Sequence, residues 1–143
     1  MISDVIARLD TYVPDLGGRI EGAAQFAALM KSNALPQVTP AAHVLPLGLQ
    51  GGQADASAGE FTQTYQEVIG VVLTLRSNER TGAKALPPLD QLIMEVISAI
   101  AGWGPDSAIG VFRLVRGSIL SMSAGTIVYQ LDFSLSDQLR IIP

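Results

Sequence analysis

The segment TIVYQLDFSLSDQLRI, residues Thr126–Ile141, has the clearest pattern in the chain. Its apolar side chains alternate with mostly polar ones, and they are Ile127, Tyr129, Leu131, Phe133 and Leu135. A period of two places the apolar set on one face of a β-strand and the polar set on the other. A sheet with one apolar face has to be covered, so another segment of the chain must supply the cover.

The segment from Pro87 to Gly102 is predicted to be the helix that covers this face. Its apolar residues follow the spacing i, i+3, i+4, i+7, i+8 and i+11, and they are Leu89, Leu92, Ile93, Val96, Ile97 and Ile100. This spacing produces one apolar stripe along a helix. We therefore expect a core between helix and sheet, formed by Leu92, Val96, Ile100, Leu131 and Phe133.

The rest of the chain is predicted to add two helices and three strands. The helices are Ile2–Val13, which ends before Pro14, and Ala23–Lys31. The strands are Gln37–Leu49, Glu60–Ser77 and Ile109–Met122, of which the last forms a hairpin with Thr126–Ser136. The order predicts a single α+β domain over residues 1–143, with a mixed or antiparallel sheet of about four strands flanked by helices.

Two of these segments carry special features. Pro40 and Pro46 each remove a ladder donor, so the first strand is expected at a sheet edge. The second strand, Glu60–Ser77, would exceed ~50 Å if unbroken. We therefore expect either a bend at Gly70 or a first half that projects beyond the sheet. Residues 78–85 are predicted to be a charged, exposed turn.

The segment between these two strands is rich in glycine. It runs from Gly48 to Gly59 and its only formal charge is Asp55. Glycine lowers the cost of unusual backbone conformations and of close approach to another chain. We therefore expect a flexible docking loop, with its main positions at Gly48, Gly51, Gly52, Asp55 and Gly59.

The composition favours assembly and argues against several function classes. Cysteine is absent from the 143 residues, which excludes disulfides and thiolate metal sites. The net charge is −4, which argues against a nucleic-acid-binding surface over the whole protein. Mean hydropathy is +0.36 and 15% of residues are charged, against ~25% in an average domain. No stretch is predicted to span a membrane, so the excess apolar surface suggests subunit interfaces.

The sequence contains no recognisable catalytic or cofactor-binding motif. His43 is the single histidine and has no carboxylate neighbour in sequence, so a structural or interface role is preferred to a catalytic or metal-binding one. The chain lacks the Gly-x-Ser-x-Gly and phosphate-loop motifs. We therefore predict no enzyme, no cofactor and no metal.

The predicted hairpin places three arginines on neighbouring strands. Arg113, Arg116 and Arg140 could cluster across the hairpin and contact a nucleic acid backbone. The preferred interpretation is that they form salt bridges between subunits or lie on a solvated sheet face, because the protein as a whole is acidic.

Four segments of the sequence resemble those of one known family. They are GAAQFAALM at Gly22–Met30, LPQVTPAAHVLPL at Leu35–Leu47, GWGP at Gly102–Pro105 and YQLDF at Tyr129–Phe133. With the order of elements, they resemble the tail terminator, or tail-completion, proteins of long-tailed phages and prophages. The resemblance covers most of the chain.

The resemblance implies a structural protein of the virion without a cofactor or catalytic residue. It implies a homo-oligomer, a hexameric ring that caps the tail tube protein, stops its polymerisation and joins the tail to the head–tail connector. DNA would pass through the lumen without specific binding. The ring would lie at the head-proximal end of the tail and be assembled in the host cytoplasm.

Two alternatives of different kinds stay open at this point. One is another ring-forming component, a tail tube protein or a connector (stopper) protein. The other is a small-ligand-binding α+β domain, with its pocket between the helix Leu89–Ile100 and the sheet.

For a ring, the sequence offers candidate positions for each surface. The expected head-to-tail contact comprises Val44, Leu45, Leu47, Phe61 and Tyr65, with Arg113, Arg116 and Arg140 pairing across subunits. The candidate acids of the lumen are Glu60, Glu67, Asp132 and Asp137. The glycine-rich segment is expected to become ordered against a neighbouring ring.

Overall fold

The computed structural model describes residues 1–57, 59–77 and 86–142 of the chain. Its elements are α1 (Ile2–Tyr12), a 3-10 turn (Pro14–Leu16), β1 (Ile20–Glu21), α2 (Ala23–Lys31), β2 (Ala41–Asp55), β3 (Phe61–Arg76), α3 (Leu86–Ile100), β4 (Phe112–Ser123) and β5 (Thr126–Ile141). The strands form one five-stranded sheet in the order β1-β2-β3-β5-β4. The pair β1–β2 is parallel and the other three pairs are antiparallel. The predicted α+β fold with a mixed sheet is confirmed.

The register of the sheet defines two faces. Leu131 of β5 lies opposite Val71 of β3 and Gly117 of β4, and Val71 lies opposite Val44 of β2. We call the face with Leu131 the first face. Because successive side chains alternate across a strand, the neighbouring Asp132 marks the second face.

The first face is covered by α1 and α3. The residues predicted for this core are all buried in one cluster, and they are Leu92, Val96, Ile100, Leu131 and Phe133. Helix α1 packs on α3 and adds Val5 and Leu9 to the cluster. Arg8 joins the two helices, because its Nε donates a hydrogen bond to the Ala99 carbonyl oxygen over 2.9 Å. The space between α3 and the sheet is thus filled by side chains.

Helix α2 lies on the second face, at the β1–β2 end. Its Phe26 ring is 5.4 Å from the ring of His43, and His43 pairs with Val72 on the second face. Arg76 connects the following segment to the sheet, since its guanidinium donates a hydrogen bond to the Pro36 carbonyl oxygen at 3.2 Å. Helices therefore flank both faces of the sheet, as predicted, and part of the second face is buried.

The sheet differs from the prediction at its β1–β2 side. The strand β1 has two residues, Ile20 and Glu21, which were too few to produce a period. Strand β2 begins after Pro40 and continues to Asp55, so most of the predicted docking loop is strand. It pairs with β3 as far as Asp55 opposite Thr62, with irregularities after Pro46 and Gly51.

Strand β3 is unbroken from Phe61 to Arg76, and Gly70 does not interrupt it. A side chain at Gly70 would start 3.0 Å from Leu47 Cδ1, so this glycine makes room for a neighbour. Neither alternative for the long strand is observed, because the first half of β3 does not leave the sheet but stays paired with β2 and β5. The predicted turn at 78–85 lies outside the described residues.

Candidate assembly surfaces

Three strands extend beyond the helical layers and form what we call the arm. It comprises residues 46–55 of β2, 61–68 of β3 and 136–141 of β5. In β3 the burial changes at Ile69, where the partly exposed half gives way to the buried half that ends at Leu75. The arm is stable because its central strand is paired on both sides, while a two-stranded ribbon would be marginal.

Side-chain contacts reinforce the pairing of the arm. The Tyr65 hydroxyl donates a hydrogen bond to Asp137 Oδ2 at 3.5 Å. Partial burial raises the pKa of Tyr65, and the carboxylates of Asp137 and Glu67 raise it further. Near the tip, Arg140 Nε lies 3.4 Å from Glu60 Oε1, in an exposed ion pair.

The glycines of β2 fit the arm for a steric reason. A Cβ at Gly52 would lie 2.6 Å from Thr64 Oγ1, and one at Gly51 would lie 2.8 Å from Gln63 Nε2. The Gln63 amide instead donates a hydrogen bond to the Gly52 carbonyl oxygen over 3.3 Å. These glycines therefore permit close side-chain packing across the ladder, which is why the prediction of a flexible loop was wrong.

The first face of the arm carries exposed apolar side chains. Leu49 of β2 is 71% exposed, and Leu139 and Ile141 of β5 are also exposed. The register places all three on the face that α1 and α3 cover elsewhere, because Leu49 lies opposite Glu67 and Ile141 opposite Phe61. No helix of the described chain covers this stretch, so these three apolar side chains are left exposed on a face that also carries Glu67 and Asp137.

The predicted contact residues have different positions in the fold. Val44 is fully buried in the core, so its assignment to a subunit interface was wrong. Leu45 is partly buried and Leu47 is exposed. Phe61 and Tyr65 are half-buried on the central strand of the arm, so they do not form an edge.

Strand β4 forms an edge of the sheet and is exposed on both faces. Apart from Phe112 and Ser118, each of its twelve residues is exposed. Large apolar side chains are among them: Leu114, Val115, Ile119, Leu120 and Met122. The preceding residues Ile109 and Val111 are exposed as well. An open edge with apolar side chains is a template for another chain. In residues 111–122 apolar residues occur at both odd and even positions, which indicated in the sequence that apolar side chains lie on both faces of this strand.

The three arginines do not form one cluster. Arg116 lies opposite Asp132, and its Nε is 3.4 Å from Asp132 Oδ2. Arg113 lies opposite Ser134, whereas Arg140 is on the arm opposite Thr62. Six residues of β5 separate Ser134 from Arg140, which is about 20 Å along a strand. The predicted cluster across the hairpin was therefore wrong for Arg140.

The four candidate lumen acids are divided between surfaces. Glu67 and Asp137 lie on the first face of the arm, and Asp132 lies on the second face. Glu60 precedes β3 and pairs with Arg140. Both carboxylate oxygens of Asp132 have partners, because Gln130 Nε2 donates a hydrogen bond to its Oδ1 over 2.7 Å and Arg116 Nε lies 3.4 Å from its Oδ2. One lumen surface therefore cannot contain all four acids.

His43 lies beside a groove between α2 and β2. The groove has a volume of about 600 Å³, and its lining includes Arg19, Glu21, Gln25, Val38 and His43. His43 is buried, and its Nδ1 has no hydrogen-bond partner in the described chain. Burial lowers the pKa of His43, and the Glu21 carboxylate opposes this shift. A neutral, buried imidazole is consistent with the structural role predicted for it.

The described residues offer little to metal or membrane chemistry. Among them, no group of three or more His, Asp or Glu side chains is placed to hold a metal ion. The helices within the described part of the chain are too short or too polar to cross a membrane.

The fold and these surfaces define an α+β subunit suited to assembly, with an arm that exposes apolar side chains and with open sheet edges. The sequence matches the family described as phage tail terminator protein over residues 2–143, and the chain belongs to this family of phage tail structural proteins. The predicted family is thereby confirmed. No match was found among curated proteins.

A solved structure shares the fold. A chain from a structure described as the virion of a native gene transfer agent (GTA) particle superposes with a TM-score of 0.53. The match covers 94% of this chain and 92% of that chain, at 13% sequence identity. At this identity the likeness concerns the fold alone.

Proposed function

We propose that the chain forms a hexameric ring at the head-proximal end of a phage tail. The ring caps the tail tube, stops its polymerisation and offers its other side to the head–tail connector. Family membership over residues 2–143 supports a role at the tail end. The observation that carries the proposal is the arm, which extends from a subunit of this family and leaves Leu139 and Ile141 exposed.

The arm is the surface that docks on the last ring of the tube. Burying an exposed leucine or isoleucine in a protein interface contributes up to about 1.5–3 kcal/mol per side chain. Leu139 and Ile141 are repeated six times in the proposed ring, so a modest contribution per subunit gives a stable cap. The role is structural, and the protein acts by binding rather than by catalysis.

The second face of the sheet, near β4 and β5, is the surface that lines the lumen. The helices α1 and α3 add bulk to the first face, which therefore fits the longer outer circumference of a ring. Charges on the second face nearly balance, since Arg116 pairs with Asp132 and Arg140 pairs with Glu60. Arg113 has no ion-pair partner among the described residues. A near-neutral wall lets DNA pass without being held.

Electron microscopy of particles made with Leu139→Asp/Ile141→Asp tests the cap. We expect tails of uncontrolled length and heads without tails, because buried carboxylates would oppose docking of the arm. Met94→Asp is the matched control, since Met94 on α3 is 59% exposed and lies outside the arm. Tails of normal length joined to heads in the double variant would contradict the proposal.

Titration of the purified protein with double-stranded DNA tests the wall of the lumen. We expect weak binding at low salt that disappears at physiological salt, because each subunit offers few unpaired cations. Arg113→Gln should weaken what binding there is, while Arg19→Gln, at the opposite end of the sheet, should leave it unchanged. Tight binding that persists at physiological salt would contradict a lumen that lets DNA slide.

A further inference from the structure

Two edges of the sheet are open over long stretches. Strand β4 pairs with β5 on one side. On its other side Phe112 exchanges backbone hydrogen bonds with Gly102 and Trp103, and from Arg113 onward no strand of the described chain covers it. At the opposite edge, β1 pairs only with Ala42 and His43. Residues 44–55 of β2 therefore have no strand on their outer side within the described chain. Unpaired N–H and C=O groups on an edge strand are a ready template for another strand.

The open stretches lie at the same level on opposite sides of the subunit. One row across the sheet connects Phe112, Leu135, Glu67 and Leu49. The row two positions further along the strands connects Leu114, Phe133, Ile69 and Pro46. A rotation about an axis that runs along the strands keeps this level unchanged. It therefore brings the β4 edge of one subunit to the open β2 edge of the next.

Exposed apolar side chains are concentrated at this level on both edges. On β2 they are Leu47, 44% exposed, and Leu49. On the other edge they are Ile109, Val111, Leu114 and Val115. The register places Leu49 and Leu114 on the same face of the sheet and two rows apart, so they become diagonal neighbours, within reach of long side chains, once the edges meet. The two edges thus complement each other in backbone groups and in apolar surface.

The direction of the strands is also suitable. Three antiparallel pairings separate β2 from β4, so the two strands run in opposite directions within a subunit. Rotation about an axis along the strands preserves direction, and β4 meets the β2 of the next subunit antiparallel. Antiparallel pairing gives the slightly more stable ladder. Pro46 lacks one donor, a loss that an edge position tolerates.

We propose that the open edge of β2 in one subunit pairs antiparallel with the β4 edge of a second copy, at the level where Pro46 lies opposite Leu114 and Leu49 is the diagonal neighbour of Leu114. The sheet then continues from subunit to subunit, and the contact is heterologous, as a closed ring requires. This inference rests on the proposed function, because it specifies how the ring is closed. It replaces the contact through Val44, Phe61 and Tyr65 that the sequence suggested.

The experiment is cross-linking in tails purified from the virus that carries this chain. Since the native chain contains no cysteine, the two cysteines of a Leu49→Cys/Leu114→Cys variant are the only thiols of this chain that can react. A short bis-maleimide reagent should produce a ladder of covalent multimers in denaturing gels, ending at the ring size. The matched control combines Leu49→Cys with Met94→Cys on α3 and should give no ladder, as should each single variant.

The outcomes separate this inference from the proposed function. Normal tails that contain the Leu49→Cys/Leu114→Cys chain but give no ladder would overturn the edge pairing and leave the cap intact. A ladder from the control pair would also overturn it. If the wild-type chain is missing from purified tails, the proposed function itself fails.

A second measurement applies if the cysteine variant does not assemble. Hydrogen exchange of the wild-type chain is compared between the isolated subunit and assembled tails. We expect slower exchange for amides of residues 113–117 and of residues 44–49 other than Pro46, because a new ladder protects backbone N–H groups. Unchanged exchange in both stretches would overturn the proposal.

Discussion

Replacing Phe133 by alanine tests the core on which every assembly surface depends. The side chain is fully buried on the first face. Its cross-strand neighbours are Ile69 and Leu114. Truncation removes an aromatic ring and leaves a cavity that α3 can fill only in part. The expected loss is about 3–5 kcal/mol of the free energy of unfolding, which is a large fraction of the total for a single domain.

Thermal unfolding of the isolated subunit is the assay, at concentrations where light scattering shows a monomer. For a domain of this size, 1 kcal/mol corresponds to roughly 3 °C in Tm, so Phe133→Ala should lower Tm by about 9–15 °C. The matched control is Leu120→Ala on the exposed edge, which should change stability by ~0.5 kcal/mol or less. An unchanged Tm in Phe133→Ala would refute the core between α3 and the sheet.

Three further predictions follow from single contacts. Burial lowers the pKa of His43, so as the pH falls the unfolded chain binds a proton near pH 6.5 while the folded chain still does not. Urea unfolding should therefore show the free energy of unfolding falling below this pH, by at most ~1.4 kcal/mol per pH unit. The same pH slope in His43→Gln would contradict this. Gly110→Ala would place a Cβ against the Ser136 carbonyl oxygen, so we expect faster proteolysis near residue 110 and impaired joining of tails to heads. Wild-type proteolysis and normal tails in this variant would show that the segment can adjust. The side chains of Arg116 and Asp132 are 71% and 14% exposed. A double-mutant cycle measured by chemical unfolding should therefore give a coupling free energy of about 0.2–1 kcal/mol. A value well above this would indicate that solvent screens the pair less than the structure shows.

The sequence by itself determined the elements whose pattern is strong and local. Strand β5 follows its predicted bounds from Thr126, and α2 follows Ala23–Lys31. The stripe of α3 and the alternation of β5 also identified the core residues. Such patterns can be recognised because burial on one face constrains every second residue of a strand and every third or fourth residue of a helix.

Only the tertiary structure decided what the glycine-rich stretch of β2 does. Composition suggested a loop at Gly48–Gly59, but Gly51 and Gly52 make room for Gln63 and Thr64 of the neighbouring strand. That requirement depends on a cross-strand register that no single segment encodes. The same holds for Arg140, which is distant from Arg113 because β5 extends beyond β4.

The surfaces of assembly were likewise decided by strand order. The sequence indicated excess apolar surface and the family, but it could not show that Val44 is covered by the core while Leu114 is open at an edge. Exposure depends on which strand lies next to which, and the order β1-β2-β3-β5-β4 arises from contacts between distant segments. Local periodicity fixes which face of a strand is apolar, whereas long-range pairing fixes which apolar faces and edges are left for a partner.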